Sequence, residues 1–185
     1  MALADFPLSH PQDIQHLTDK PLVVDLRPDE AQLQRLTKAY SLLALEDLVA
    51  RFELRRWRRD GVAIEGRLQA RATQACVVTL QPVEQQIDEV FTMRFDPDAT
   101  ALSGVEEEGE IDIDAFAEDP PDLLEGGRLD LGAILCEQLA LALDPFPRVP
   151  GAELPEGYGE DGKVDADDKP PSPFAVLERF RKHEE

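Results

Sequence analysis

Residues 51–71 read RFELRRWRRDGVAIEGRLQAR, a basic island in which seven arginines meet only Glu53, Asp60 and Glu65 around the single tryptophan, Trp57. From Leu48 onward apolar residues recur with period two, the spacing of a strand with one buried face. Asp60-Gly61 lies between two such runs, so the stretch predicts a β-hairpin. A two-residue Asp60-Gly61 turn would set Leu54 beside Arg67 and Arg56 beside Glu65, mixing apolar and charged side chains on each face. A three-residue loop, Arg59-Asp60-Gly61, with Gly61 left-handed, sets Phe52 opposite Leu68, Leu54 opposite Gly66 and Ile64 opposite Arg56, which keeps one face mostly apolar. On the other face it sets Arg55 opposite Glu65 and Glu53 opposite Arg67, cross-strand ion pairs worth roughly 0.2–1 kcal/mol each. The three-residue loop is the expected register.

Downstream, Thr73–Leu80 is β-prone and uncharged, and Gln81-Pro82 marks a turn. In the strand that follows, Ile87, Phe91, Met93 and Phe95 share one face, and Asp88, Thr92 and Arg94 the other. The segments therefore form an antiparallel meander of at least three strands. Upstream, residues 1–20 read as a turn-rich lead-in and Pro21–Leu26 as a short strand. Asp29 and Glu30 put carboxylates at a helix N-terminus, and Leu33, Leu36 and Tyr40 carry that helix from Asp29 to Tyr40. Between Asp96 and Asp130 there are 13 acidic residues against one basic residue, Arg128, the pattern of a solvated segment. Within it Ile111–Phe116 alternates as an edge strand would. Leu129–Leu143 reads as a helix capped by Asp130, with Leu131, Ile134, Leu135, Leu139 and Ala142 as its stripe and Asp144-Pro145 as its stop. Ala152–Lys169 is an acidic, Gly-rich linker. Ser172-Pro173 then starts a short amphipathic helix carrying Phe174, Leu177 and Phe180.

The 185 residues are 42% hydrophobic, enough for one domain with a core, and carry 15 prolines and 11 glycines. A net charge of −20 opposes bulk attraction to phosphate backbones or anionic lipids and favours a basic protein partner. Nucleic-acid contact must therefore be local. No apolar run is long enough to cross a membrane and no secretory leader pattern opens the chain, so a cytosolic protein is expected. Cys76 and Cys136 are far apart and form no local CxxC, so they read as buried small residues. His10, His16 and His183 lack metal or nucleophile spacing, and Gly126-Gly127 lacks the Lys-Ser/Thr of a phosphate loop. A weak divalent-ion or hydrolytic site at Asp112, Asp114 and Glu118 matches no EF-hand spacing. No catalytic residue, cofactor, metal or small-molecule substrate is expected.

Trp57 offers a stacking surface and arginines neutralise phosphates, so the hairpin is the candidate surface for an anionic partner. Arg55 and Arg67 are assigned to ion pairs by the expected register, which leaves Arg51, Trp57, Arg58, Arg59 and Arg71.

Three stretches in order, GRLQARATQACVVTLQPV (66–83) with Ile87-Asp88-Glu89 after it, CEQLALALDPFPRVPG (136–151) and PPSPFAVLERF (170–180), resemble the YceD-like family of large ribosomal RNA subunit accumulation proteins. The pattern around Cys76 and DPFPRVPG looks most like its alphaproteobacterial branch. The resemblance implies a non-enzymatic factor in ribosome synthesis. Many members carry CxxC in the central strands. Cys76 matches the second cysteine, but Thr73 stands at the first, so the resemblance brings no zinc knuckle here.

The expected architecture is α+β: an antiparallel meander, open or barrel-like, flanked by two or three helices. Residues 1–150 form the domain, 151–170 the linker and 171–185 a helix docked back on the domain. The expected function is binding of a large-subunit precursor, through rRNA at the hairpin or a basic ribosomal protein at the acidic loops. The alternative is a protein-only adaptor or holdase that shields one basic ribosomal protein without touching RNA.

Overall fold

In the computed structural model, residues 6–99 and 120–153 are described. Two long strands, β3 (Ala44–Trp57) and β4 (Gly61–Ala75), form the arginine-rich hairpin, and β5 (Pro82–Asp96) returns antiparallel beside β4. Strand β2 (Leu22–Leu26) pairs antiparallel with β3, and the two-residue β6 (Asp122–Leu123) lies parallel to the end of β5 at Phe95 and Asp96. The sheet runs β2-β3-β4-β5-β6 and stays open, not closed into a barrel. A separate ribbon joins β1 (Pro11–Asp13) to β7 (Arg128–Asp130). Helix α1 (Glu30–Ala39) sits between β2 and β3, and α2 (Leu131–Ala142) follows β7. This is the mixed α+β class read from the sequence. The chain divides into units Met1–Val149 and Pro150–Glu185. Among the described residues no helix is long and apolar enough to cross a membrane.

Alternation along the strands decides which face is covered. Ala50, Phe52 and Leu54 on β3 and Val62, Ile64, Leu68, Ala70 and Ala72 on β4 are buried, and they share one cluster with Leu36 of α1 and Leu131, Leu135 and Leu139 of α2. Each such large apolar side chain taken out of water stabilises the fold by roughly 1.5–3 kcal/mol. The opposite face keeps Arg51, Arg55, Glu65, Arg67, Gln69 and Arg71 exposed. Both helices begin as their sequences dictate. Asp29 caps α1 in a reciprocal capping box with Gln32, and the Asp130 carboxylate accepts from the backbone N–H groups of Gly132 and Ala133 at the start of α2. Leu129 belongs to β7, so α2 starts at Leu131, the first residue of its apolar stripe, and two residues later than the expected bound.

The hairpin register differs from the expected one. The loop has three residues, but they are Arg58, Arg59 and Asp60, with Trp57 paired to Gly61. Phe52 faces Gly66, Leu54 faces Ile64 and Arg56 faces Val62, two positions from the sequence reading. A shift of two preserves which side chains point inward, so the buried face is as expected while every cross-strand partner changes. Glu53 now faces Glu65, and Arg51 faces Arg67, so neither expected ion pair forms. The left-handed residue is Arg58 at φ 54°, and Gly61 is not left-handed. Gly61 is needed because the Phe95 carbonyl lies 2.6 Å from where a Cβ would sit.

Three further elements differ from expectation. Strand β3 begins at Ala44, upstream of Leu48, with a bulge at Asp47, which adopts φ 55°. Strand β4 ends at Ala75, so residues 76–80, read as strand, form a turn in which Leu80 is left-handed at φ 61°. The turn-rich lead-in is a structural part of the domain: Leu8 and Ile14 are buried, and β1 anchors β7. The expected edge strand Ile111–Phe116, almost all of the linker and the C-terminal helix lie outside the described residues.

Candidate functional site

The five residues proposed from sequence separate into two groups. Trp57, Arg58 and Arg59 sit together at the hairpin tip, whereas Arg51 and Arg71 lie along the outer face of β3 and β4, progressively further from it. Arg51 approaches Asp25 of β2 at 3.4 Å. Arg71 bridges Glu46 at 3.1 Å and Asp47 at 2.9 Å, where the bulge turns both carboxylates toward it. Exposed ion pairs like these contribute little to stability, but they neutralise the arginines locally.

At the tip two arginines flank the indole. The Arg58 guanidinium carbon lies 4.1 Å from the Trp57 ring centroid, and that of Arg94 lies 5.8 Å from it. Both are cation–π contacts, which hold the side chains over the indole. Arg58 also approaches Asp96 at 3.4 Å. Arg56 donates to the Arg59 carbonyl at 3.1 Å, while the Arg59 side chain is 95% exposed and only 3.7 Å from Asp60. Arg55 pairs with Glu53 along its own strand.

Sequence reading missed Arg56 and Arg94 and gave Arg67 the wrong carboxylate. Arg67 makes a bidentate pair with Asp88 on β5, at 2.7 and 2.6 Å. The Arg67 hydrogen bond holds the Asp88 carboxyl below its usual range, against some desolvation, and the same bond raises the Arg67 guanidinium. Arg94 joins the tip because Ala63 is its partner in register and Arg55 stands on the other side of Ala63. Only the true register carries that signal.

Two clefts adjoin the tip. One, of about 510 Å³, is bordered by Arg58, Arg59, Asp96, Asp98, Pro120 and Pro121. The other, of about 420 Å³, lies between the tip and the Gly126-Gly127 turn, with Ile14, Leu17 and Leu124 among its walls.

Cys76 occupies a different kind of environment at the far end of the sheet. The Cys76 side chain is buried and its sulfur accepts from the Thr79 N–H at 3.4 Å and the Val149 N–H at 3.5 Å. Hydrogen bonding from Thr79 and then from neighbouring backbone N–H groups lowers the thiol to about 6, outweighing desolvation. Burial pushes the Cys136 thiol up. Among the described residues no group of three or more His, Cys, Asp or Glu is placed to hold a metal ion. The suggested Asp112, Asp114 and Glu118 site lies outside them.

Neither the curated proteins nor the solved structures contain a significant match to this chain. The model of the family described as large ribosomal RNA subunit accumulation protein YceD matches residues 64–181. The match starts within β4 just after the tip, runs on through β5 and α2, and covers well over half of the chain. The chain therefore belongs to the YceD family of large ribosomal RNA subunit accumulation proteins.

Proposed function

We propose that this protein is a non-enzymatic, cytoplasmic ribosome-biogenesis factor that supports accumulation of large-subunit rRNA by binding a large-subunit precursor, and that the hairpin tip is its RNA contact. Family membership supports the process, since the family is named for rRNA accumulation and for no reaction. The observation that carries the contact is the Trp57 indole flanked by Arg58 and Arg94, with Arg55, Arg56 and Arg59 on the same end of the hairpin, against Glu53, Asp60 and Asp96. A locally positive rim with an aromatic face is what phosphates and unstacked bases recognise, and its smallness suits a chain of net charge −20 that repels nucleic acid elsewhere.

The adaptor reading draws support from the outer sheet face, where Asp25, Glu46, Asp47 and Asp88 already engage Arg51, Arg71 and Arg67. In that reading the acidic surface shields a basic ribosomal protein and RNA is not touched. Pull-down from lysate at low salt, with wild type and with Arg55, Arg58 and Arg59 reversed to glutamate, separates the two. The RNA-contact reading expects rRNA to be recovered by wild type and lost by the reversed variant. Retention of a large-subunit protein with unchanged RNA recovery in the variant would favour the adaptor, and recovery of neither by wild type would sink both.

A further inference from the structure

We infer that the cleft of about 420 Å³ on the inner side of the hairpin tip binds a nucleotide, its phosphate held by Arg56 and Arg59 and its base laid on Ile14, Leu17 and Leu124. The inference rests on the reading of the tip as an RNA contact and names the unit the tip grips.

Arg56 is the anomaly that points there. It occupies an inward-facing position of β3, opposite Val62, yet it is exposed, because the core ends before it and the cleft begins. Its guanidinium is tethered to the Arg59 carbonyl at 3.1 Å, and among the described residues no carboxylate pairs with it. Arg59 stands beside it, 95% exposed, with Asp60 only loosely engaged at 3.7 Å. The two arginines outweigh Asp60, so the mouth of the cleft is positive.

The opposite wall is fixed in place. Gly126 and Gly127 are both left-handed, at φ 63° and 66°, as a tight turn requires. Ile14 N–H donates to the Gly127 carbonyl at 3.2 Å and the Gln15 side chain donates to the Gly126 carbonyl at 3.3 Å. The Gln15 side chain lies over Gly127, within 2.6 Å of where a Cβ would sit, so the lead-in closes on the turn. Ile14 and Leu124 are buried in the core cluster and Leu17 packs against it, so the floor is apolar and preformed. An apolar floor with a few convergent polar groups, within the roughly 300–1,000 Å³ of small-ligand sites, is the form of a binding cleft. Two guanidiniums at the rim match a phosphate, and an apolar floor matches a base. The indole stack of Trp57 with Arg58 lies on the other face of the hairpin, so the same tip engages a strand from both sides.

The test uses the full chain with methyl-labelled isoleucine and leucine, titrated with adenosine monophosphate and separately with a short single-stranded oligoadenylate. Shifts at Ile14, Leu17 and Leu124 with the mononucleotide would support the inference and show that a free nucleotide suffices. Shifts with the oligoadenylate alone would support it and assign a strand as the source. Arg56→Ala with Arg59→Ala should weaken binding at least roughly tenfold. Arg59→Glu, on a side chain that packs against nothing, should weaken it comparably without any question of folding. No methyl shift with either probe, binding unaltered in both variants, or capture of a glutamate-rich peptide in place of the nucleotides would overturn the inference. Co-sedimentation with large-subunit precursors is scored in parallel. Wild type that co-sediments with the precursors yet shows no methyl shift with either probe would sink the cleft and leave the proposed function standing.

Discussion

The ring of Phe91 lies across Gly66, its register partner on β4, in the space where a Cβ would sit. The same ring meets Phe52 edge-on, with centroids 6.0 Å apart and planes at 71°. The absent side chain at Gly66 is thus filled from the neighbouring strand, a device that compensates for glycine within a sheet. Gly66→Ala is expected to destabilise the domain by about 2 kcal/mol, because the ring can leave only by exposing the edge of Phe52. Urea unfolding measures this, and pairing it with Phe91→Leu should recover part of the loss. Equal stability of Gly66→Ala and wild type would show that the ring moves freely.

Asp130 joins the start of α2 to the lead-in. Its carboxylate accepts from Ser9 Oγ at 2.6 Å and His10 N–H at 2.6 Å as well as capping the helix. Desolvation pushes this carboxyl up, but the hydrogen bonds from Ser9, His10, Ala133 and Gly132 together win and hold it below its usual range. A carboxyl depressed in the folded state adds stability that is present above its unfolded value and lost as pH falls through its folded value. Asp130→Ala should cost about 2 kcal/mol at neutral pH, and its deficit relative to wild type should shrink in acid. A deficit that grows in acid would contradict the assignment.

Cys76 gives a second pH signature with the opposite range. A thiol lowered from its usual value to about 6 in the folded state adds stability as pH rises from there toward the unfolded value, and loses it below. With Cys136→Ser in the background, thiolate absorbance of the native protein should titrate near pH 6 and move to the ordinary thiol range on unfolding. Thr79→Val should raise the native midpoint, since Thr79 is the main source of the shift. A native midpoint at the ordinary value would mean that burial dominates.

Because Trp57 is the single tryptophan, its emission reports the tip alone. RNA bound at the tip should quench it, and Arg58→Ala, which removes the guanidinium 4.1 Å from its centroid, should change the emission of the free protein. Affinity should fall linearly with the logarithm of salt concentration, with a slope made shallower by about one for each phosphate-contacting arginine removed. RNA binding with unchanged Trp57 emission would move the contact elsewhere on the molecule.

Much of the fold was legible because it rests on local periodicity and caps. Asp29 and Asp130 mark their helix starts by side-chain chemistry, and the inward set Phe52, Leu54, Ile64 and Leu68 follows from alternation alone. Register was not legible, because two alignments two residues apart bury the same faces. The choice was made by the backbone at the tip, where Arg58 accepts a left-handed conformation and Gly61 allows the Phe95 carbonyl to approach. A glycine next to aspartate signals a turn but not which of its two uses applies. The candidate surface inherited that error. Arg67, assigned to Glu53, instead grips Asp88 on β5, and Arg94 and Arg56 reach the tip through pairings visible only in three dimensions. The short strands β1, β6 and β7, of two or three residues each, carry no periodicity to detect.

Strand β5 has one further consequence. Beyond its pairing with β4 it is bordered, among the described residues, only by the two residues of β6 at its end. A strand of 15 residues with an open flank would serve as a template for a second copy. Glu84, Asp88 and Glu89 are spaced along it, and Pro82 at its start offers no N–H. A second copy laid alongside in parallel register would set Glu84 and Glu89 against their own copies. The acidity that looks like a trait of partner choice thus also disfavours in-register stacking of this edge, as charges on exposed strand edges do.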